Sequence, residues 1–194
     1  MPPARSPLAE VLADLGRVFA GLGVRWYLFG AQAAVLYGAA RLSADVDVTV
    51  ALGDRGVGEL LAALDADGFE ARVPEPAAFA ETTRVLPVVH RPTRMPADVV
   101  LAGPGLEERF LARVEARVIE DVVVPVASAP DLVVMKVLAG RPQDLEDTIA
   151  VLRTQGEGLD AARARATLGE LERALDRRDL VAAFDRALAE ARRS

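Results

Sequence analysis

The sequence predicts an α/β (α+β) fold, with an α/β core over residues 1–127 and a helical region over residues 128–194. Three observations lead there. An apolar rhythm of three- and four-residue steps near the N-terminus gives way to short β-branched and aromatic runs bounded by Gly, Pro and Asp. Helix-like segments alternate with those runs as far as Val126, which is the pattern of helices packed on a sheet. From Ser128 onward the chain reads as helices alone.

Taken in order, Leu8, Val11, Leu12, Leu15, Val18, Phe19 and Leu22 place a helix over Pro7 to Leu22, which Gly21 and Gly23 end. Arg25 to Phe29 is a buried strand, broken by Gly30, and Ala31 to Gly38 is a short Ala-rich helix. Val46 to Leu52 is a second strand, and Gly56 to Asp67 a helix with Leu60, Leu61 and Leu64 on one side. Phe69 to Val73 is a short strand and Pro74 to Ala80 a loop. Thr82 to His90 is strand-like despite Pro87, which points to a sheet edge or a bulge. Ala97 to Ala102 pairs with it as a hairpin across the Arg91–Pro96 turn. Leu106 to Val114 is a helix, and Ala116 to Val126 makes two short strands meeting at Glu120-Asp121. Ser128 caps the next helix, with Pro130 just inside and Asp131 to Gly140 as its body. Pro142 to Thr154 follows, and Leu159 to Arg192 forms two helices broken near Arg178-Asp179.

Composition narrows the function. Hydrophobic residues make up 52% of the 194, enough for a sizeable core. No apolar run approaches the ~18–20 residues of a membrane span. Met1 to Glu10 is proline-rich and polar, without the apolar stretch of a signal peptide. The absence of cysteine excludes a disulfide framework, a thiolate zinc site and a cysteine nucleophile. A cytoplasmic location away from membranes is the expectation. A net charge of −6 and a pI near 4.9 argue against a protein that lives on non-specific nucleic-acid contacts. Of the 23 Lys and Arg residues only Lys136 is lysine, a compact point charge that arginine does not replace equally well.

Asp45-Val46-Asp47 is the most informative triplet. On a strand, residues i and i+2 point the same way, so two carboxylates project from one face about 7 Å apart along the strand. They repel unless a cation lies between them, and hard divalent ions such as Mg²⁺ favour such oxygen ligands, with substrate phosphates completing the shell. Gly30 follows an aromatic strand and opens a helix, an arrangement suited to holding phosphate. Asp98 opens the apolar run Asp98-Val99-Val100-Leu101. If that strand neighbours Val46–Val50, Asp98 completes a cluster of three carboxylates.

The stretch Leu28-Phe29-Gly30-Ala31-Gln32-Ala33, followed by Gly38-Ala39-Ala40-Arg41-Leu42-Ser43-Ala44-Asp45-Val46-Asp47-Val48, resembles the nucleotidyltransferase superfamily with the polymerase-β-like fold. It is similar in particular to the AbiEii-type and minimal nucleotidyltransferases of prokaryotic toxin–antitoxin systems. A second stretch, Pro130-Asp131-Leu132-Val133-Val134-Met135-Lys136 with Gly140-Arg141-Pro142-Gln143-Asp144-Leu145-Glu146-Asp147, resembles that family's Lys-bearing helix and the Asp-x-x-Asp helix after it. The resemblance implies a mixed-sheet nucleotidyltransferase core with helices packed on it. It also implies Asp45, Asp47 and Asp98 as catalytic Mg²⁺ ligands, with Asp98 as the base that activates the acceptor hydroxyl. Gly30, Ala31, Arg41, Ser43, Lys136 and Asp144 are implied as nucleotide-binding. Where the family has Gly or Ser, this chain has Ala31, which supplies neither unusual backbone freedom nor a hydroxyl.

The implied reaction is transfer of a nucleoside monophosphate from a nucleoside triphosphate to a hydroxyl acceptor. A toxin-type enzyme acting on RNA or protein, partnered by a cognate antitoxin, is the first reading. An aminoglycoside-type antibiotic adenylyltransferase and a catalytically inactive binding module on the same fold stand beside it. His90, the only histidine, reads as a strand-end residue, and Arg84, Arg91 and Arg94 as a solvated hairpin.

Overall fold

The computed structural model describes residues 5–41 and 43–193. Met1–Ala4 of the proline-rich N-terminus, Leu42 of the Gly38–Asp47 motif and Ser194 lie outside the described residues. The chain divides into two units, Met1–Gln32 with Ser43–Ala127, and Ala33–Leu42 with Ser128–Ser194.

The first unit begins with α1 (Pro7–Leu22). Ser6 Oγ accepts the Ala9 N–H, proline occupies the first turn, and Gly23 closes the helix at φ 66°. Its apolar stripe of Val11, Leu12, Leu15, Val18 and Phe19 is buried. The strands are β1 (Arg25–Phe29), β2 (Val46–Ala51), β3 (Phe69–Ala71), β4 (Val85–His90), β5 (Pro96–Leu101), β6 (Glu115–Ile119) and β7 (Val122–Val126). They form one mixed sheet in the order β3-β4-β5-β2-β1-β7-β6. Between them run α2 (Gly30–Leu36), α3 (Val57–Ala66), α4 (Pro76–Thr83) and α5 (Leu106–Leu111).

Register decides which side chains share a face. Leu28, Val48, Val99 and Leu86 line up across β1, β2, β5 and β4 and are completely buried. Each such side chain stabilises the fold by about 1.5–3 kcal/mol relative to exposure. One residue along, Phe29, Asp47, Asp98 and Pro87 line up on the other face. The sheet therefore keeps one aliphatic face and places two carboxylates side by side on the opposite one.

The second unit holds α6 (Ala129–Ala139), α7 (Pro142–Gln155), α8 (Ala161–Leu175) and α9 (Leu180–Ala191). Helix α6 packs on α7, α8 and α9, around Leu132, Val133, Val137, Val151, Leu168 and Phe184. The motif residue Gly38 belongs to this unit. Its φ is 105°, and a Cβ there would come within 2.3 Å of Thr154 Oγ1, so only glycine fits where the chain passes α7. Gln155 Nε2 donates to the Tyr37 carbonyl at 3.3 Å and holds the same approach.

Three local expectations are corrected. Pro74–Ala80 is not a loop throughout, because α4 runs over Pro76–Thr83. Only Ala80 of that helix is buried, so no apolar period marked it; proline at its start and the alanines supply the propensity. Pro87 does not mark an edge strand, since β4 lies between β3 and β5. The β3 ladder stops at Ala71 opposite Val88, and the Pro87 carbonyl accepts the Arg72 N–H beyond it. The missing N–H of Pro87 thus falls where that ladder has ended. Ser128 occupies the N-cap position of α6 but makes no side-chain cap; its hydroxyl donates to Asp131 Oδ2 at 2.7 Å instead. Among the described residues no helix is long and apolar enough to cross a membrane.

Candidate active site

Asp47 and Asp98 are direct partners on the parallel pair β2 and β5, which sets their backbones about 4.8 Å apart. The condition posed by the sequence, that the Asp98 strand neighbour Val46–Val50, is met. Asp45 lies just outside β2, in the bend before it. That bend is tied to the first turn of α2. Gln32 Nε2 donates to the Ser43 carbonyl at 2.9 Å and to the Asp45 carbonyl at 3.5 Å. Ser43 Oγ donates in turn to Asp45 Oδ1.

Gly30 lies directly against Asp47. Its φ is 70°, and a Cβ built on it would sit 1.9 Å from Asp47 Oδ2. Glycine is required twice over, by backbone conformation and by the carboxylate. Gly30→Ala is expected to destabilise the protein by about 1–3 kcal/mol and to displace the Asp47 carboxylate. Thermal melts together with a Mg²⁺ titration check both effects. Ala31 is only 6% exposed, so its methyl group packs inward.

Asp98 is engaged by a residue that sequence reasoning missed. Arg72 Nη2 donates to Asp98 Oδ1 at 2.7 Å. Nothing near Arg72 in the sequence marks it, because the pairing depends on β3 and β5 flanking β4. The oxygens of Asp45, Asp47 and Asp98 do not all lie within 4.8 Å of one another; among the described residues only Glu10, Asp14 and His90 meet that condition. Asp45 is held by Ser43 and Asp98 by Arg72. The donor set is all carboxylate oxygen, the chemistry that suits Mg²⁺ rather than a softer metal.

The remaining sequence-predicted residues lie in the second unit. Lys136 Nζ donates to Asp144 Oδ1 at 3.0 Å and to Asp147 Oδ2 at 2.7 Å, with all three side chains almost completely buried. Arg141 Nε reaches Asp144 Oδ2 at 2.5 Å, and Arg41 Nη1 reaches Asp147 Oδ2 at 3.2 Å. Asp144 and Asp147, one turn apart on α7, are thus held by three cations. Burial pushes the Asp144 carboxyl up, but the hydrogen bonds and charges of Arg141 and Lys136 outweigh it and hold it below the ordinary carboxylate value. A depressed folded value means stability that is present above the unfolded pKa of about 3.9 and is lost as pH falls through the folded one. Melts of the native chain and of Asp144→Asn are expected to differ most near neutrality and to converge below about pH 4.

Arg84 and Arg91, two of the three arginines around the β4–β5 hairpin, serve the fold. Arg84 donates to the carbonyl of Leu101 at 3.0 Å, and Arg91 to that of Phe69 at 3.1 Å. In the tail Arg165 of α8 pairs with Asp185 of α9, and Arg177 with Asp179 in the connection between those helices, exposed pairs that solvent screens.

No family model matches the sequence, and no curated protein matches it significantly. Solved structures do. The solution structure of the antibiotic-resistance factor ANT(2'')-Ia aligns with a TM-score of 0.57 at 14% identity, over 87% of this chain and 95% of that one. ANT(2'')-Ia in complex with adenylyl-2''-tobramycin aligns at 0.57 and 16% identity, over 93% and 98%. An antigenic nucleotidyltransferase-like protein from Paracoccidioides brasiliensis aligns at 0.54 and 16% identity, over 92% of each chain. The protein has the nucleotidyltransferase fold: a mixed sheet with helices packed on it and a helical C-terminal region.

Proposed function

We propose that the protein is a Mg²⁺-dependent nucleotidyltransferase that moves a nucleoside monophosphate from a nucleoside triphosphate to a hydroxyl acceptor. The observation that carries this reading is the side-by-side placement of Asp47 and Asp98 on parallel strands, with Asp45 held in the bend just before β2 by Ser43 and Gln32. Asp45, Asp47 and Asp98 would hold Mg²⁺, which when bound neutralises phosphate charge and orients the triphosphate. Asp98 takes the proton of the acceptor hydroxyl as its oxygen attacks the α-phosphorus and pyrophosphate leaves. Arg72 orients the Asp98 carboxylate for that transfer. The Gly30–Ala31 turn lies along the triphosphate, and Ser43 keeps the Asp45 bend in place. Catalysis on this scheme is positioning and charge neutralisation. Arg41, Lys136 and Asp144 are proposed as further nucleotide-binding residues on the strength of the sequence pattern.

For the acceptor, the AbiEii-like Gly38–Asp47 pattern supports the toxin-type reading, with an RNA or protein hydroxyl as target and a cognate antitoxin as partner. An antibiotic hydroxyl is the second reading, and the fold shared with ANT(2'')-Ia speaks for it. The deciding experiment incubates the protein and Mg²⁺ with each α-labelled nucleoside triphosphate and a panel of RNA, protein and aminoglycoside acceptors. Label in RNA or protein supports the first reading. Label in an aminoglycoside alone replaces it with the second, and no transfer to any acceptor leaves the inactive binding module.

A further inference from the structure

We propose a second metal site in the first unit, for a divalent transition ion, built from Glu10 and Asp14 of α1 and His90 at the end of β4. One ligand atom from each lies within 4.8 Å of the other two. The site is separate from Asp45, Asp47 and Asp98. His90 shares its face of β4 with Val88, which lines up with Ala97 and Val46, so it lies on the side of the sheet opposite Asp47 and Asp98.

The donors are prepared as metal ligands usually are. His90 is completely buried, with its ring 4.8 Å from that of Phe69. Its Nδ1 is 2.9 Å from Thr93 Oγ1, a contact that fixes the ring and directs Nε2 at the carboxylates. Asp14 Oδ2 faces Nε2 at 3.0 Å, while Asp14 Oδ1 is held by Arg17 at 2.8 Å. Glu10 lies one turn before Asp14, on the same helix face.

A plain hydrogen-bonded chain from Arg17 through Asp14 and His90 to Thr93 accounts for those four residues and leaves Glu10 unexplained. Among the described residues no hydrogen bond or ion pair engages the Glu10 side chain, yet its carboxylate reaches the Asp14 carboxylate and the imidazole. Among the described residues Arg17 balances the Asp14 carboxylate and no cation balances Glu10, a gap that an ion held by all three donors would fill. One imidazole with two carboxylates suits Zn²⁺ or a neighbouring first-row ion and is a poor match for Mg²⁺. Such an ion ties α1 to β4, so its role is to clamp the helix onto the sheet.

The absence of any other histidine makes the test specific, because the imidazole ¹⁵N resonances report this site alone. One equivalent of Zn²⁺ is expected to shift the Nε2 resonance and to raise the melting temperature. Glu10→Gln, a partly exposed position, is expected to weaken Zn²⁺ binding about tenfold or more while keeping the metal-free melt. Asp45→Asn/Asp47→Asn is expected to leave the His90 shift unchanged. An Nε2 resonance that does not respond to Zn²⁺ would overturn the proposal. So would a response that survives Glu10→Gln undiminished, or one lost in Asp45→Asn/Asp47→Asn.

Discussion

Asp47→Asn is expected to lower nucleotidyl transfer by about 10³-fold or more, on the order of 4 kcal/mol of transition-state stabilisation. Asparagine keeps the shape that packs against Gly30 but removes a full negative charge from the position that faces Asp98 across β2 and β5. Stability should change little. Asparagine keeps the packing against Gly30, so the metal-free melting temperature of Asp47→Asn is expected to stay within a few degrees of the native chain's. A residue kept only for the fold would show the reverse, with a lower melting temperature and intact transfer.

Lys136→Met is expected to cost about 3–5 kcal/mol of stability, the usual penalty for taking one partner from a buried ion pair. For a chain of this size that lowers the melting temperature on the order of 10 °C. Arg141 and Arg41 still reach Asp144 and Asp147, but Lys136 is the group that touches both carboxylates. Combining Lys136→Met with Asp144→Asn and Asp147→Asn removes the unpaired buried charge and is expected to recover much of the loss. Kinetics well below the melting temperature separate the two roles open to this lysine. A rise in KM for the triphosphate marks a phosphate contact, and an unchanged KM marks a purely structural charge.

The fold was legible wherever one face of an element was apolar. The period of α1 and the β-branched runs of β2 and β5 set their bounds to within a residue or two, because burial dictates both patterns. Helix α4 was not legible, since a helix with one buried residue leaves no period to read. In the candidate site, Asp45 and Asp47 stood out through their i, i+2 spacing, and Asp98 followed once its strand was placed beside β2. Arg72 and the His90 partners stayed hidden because they come from distant chain segments. The Asp14–His90 contact joins residues 76 apart, and only the strand order brings α1 to the end of β4. Gly38 stood in the recognised pattern, but its reason, the close passage of Thr154, is tertiary.

A Mg²⁺·nucleotide site formed by Asp45, Asp47 and Asp98 has a direct signature in binding. The most direct measurement is calorimetric titration of the protein with each of the four ribonucleoside triphosphates, with and without Mg²⁺, repeated on Asp47→Asn. Binding of at least one triphosphate is expected to require Mg²⁺ and to be lost in the variant. Absence of Mg²⁺-dependent binding for all four, or binding that Asp47→Asn leaves unchanged, would contradict it.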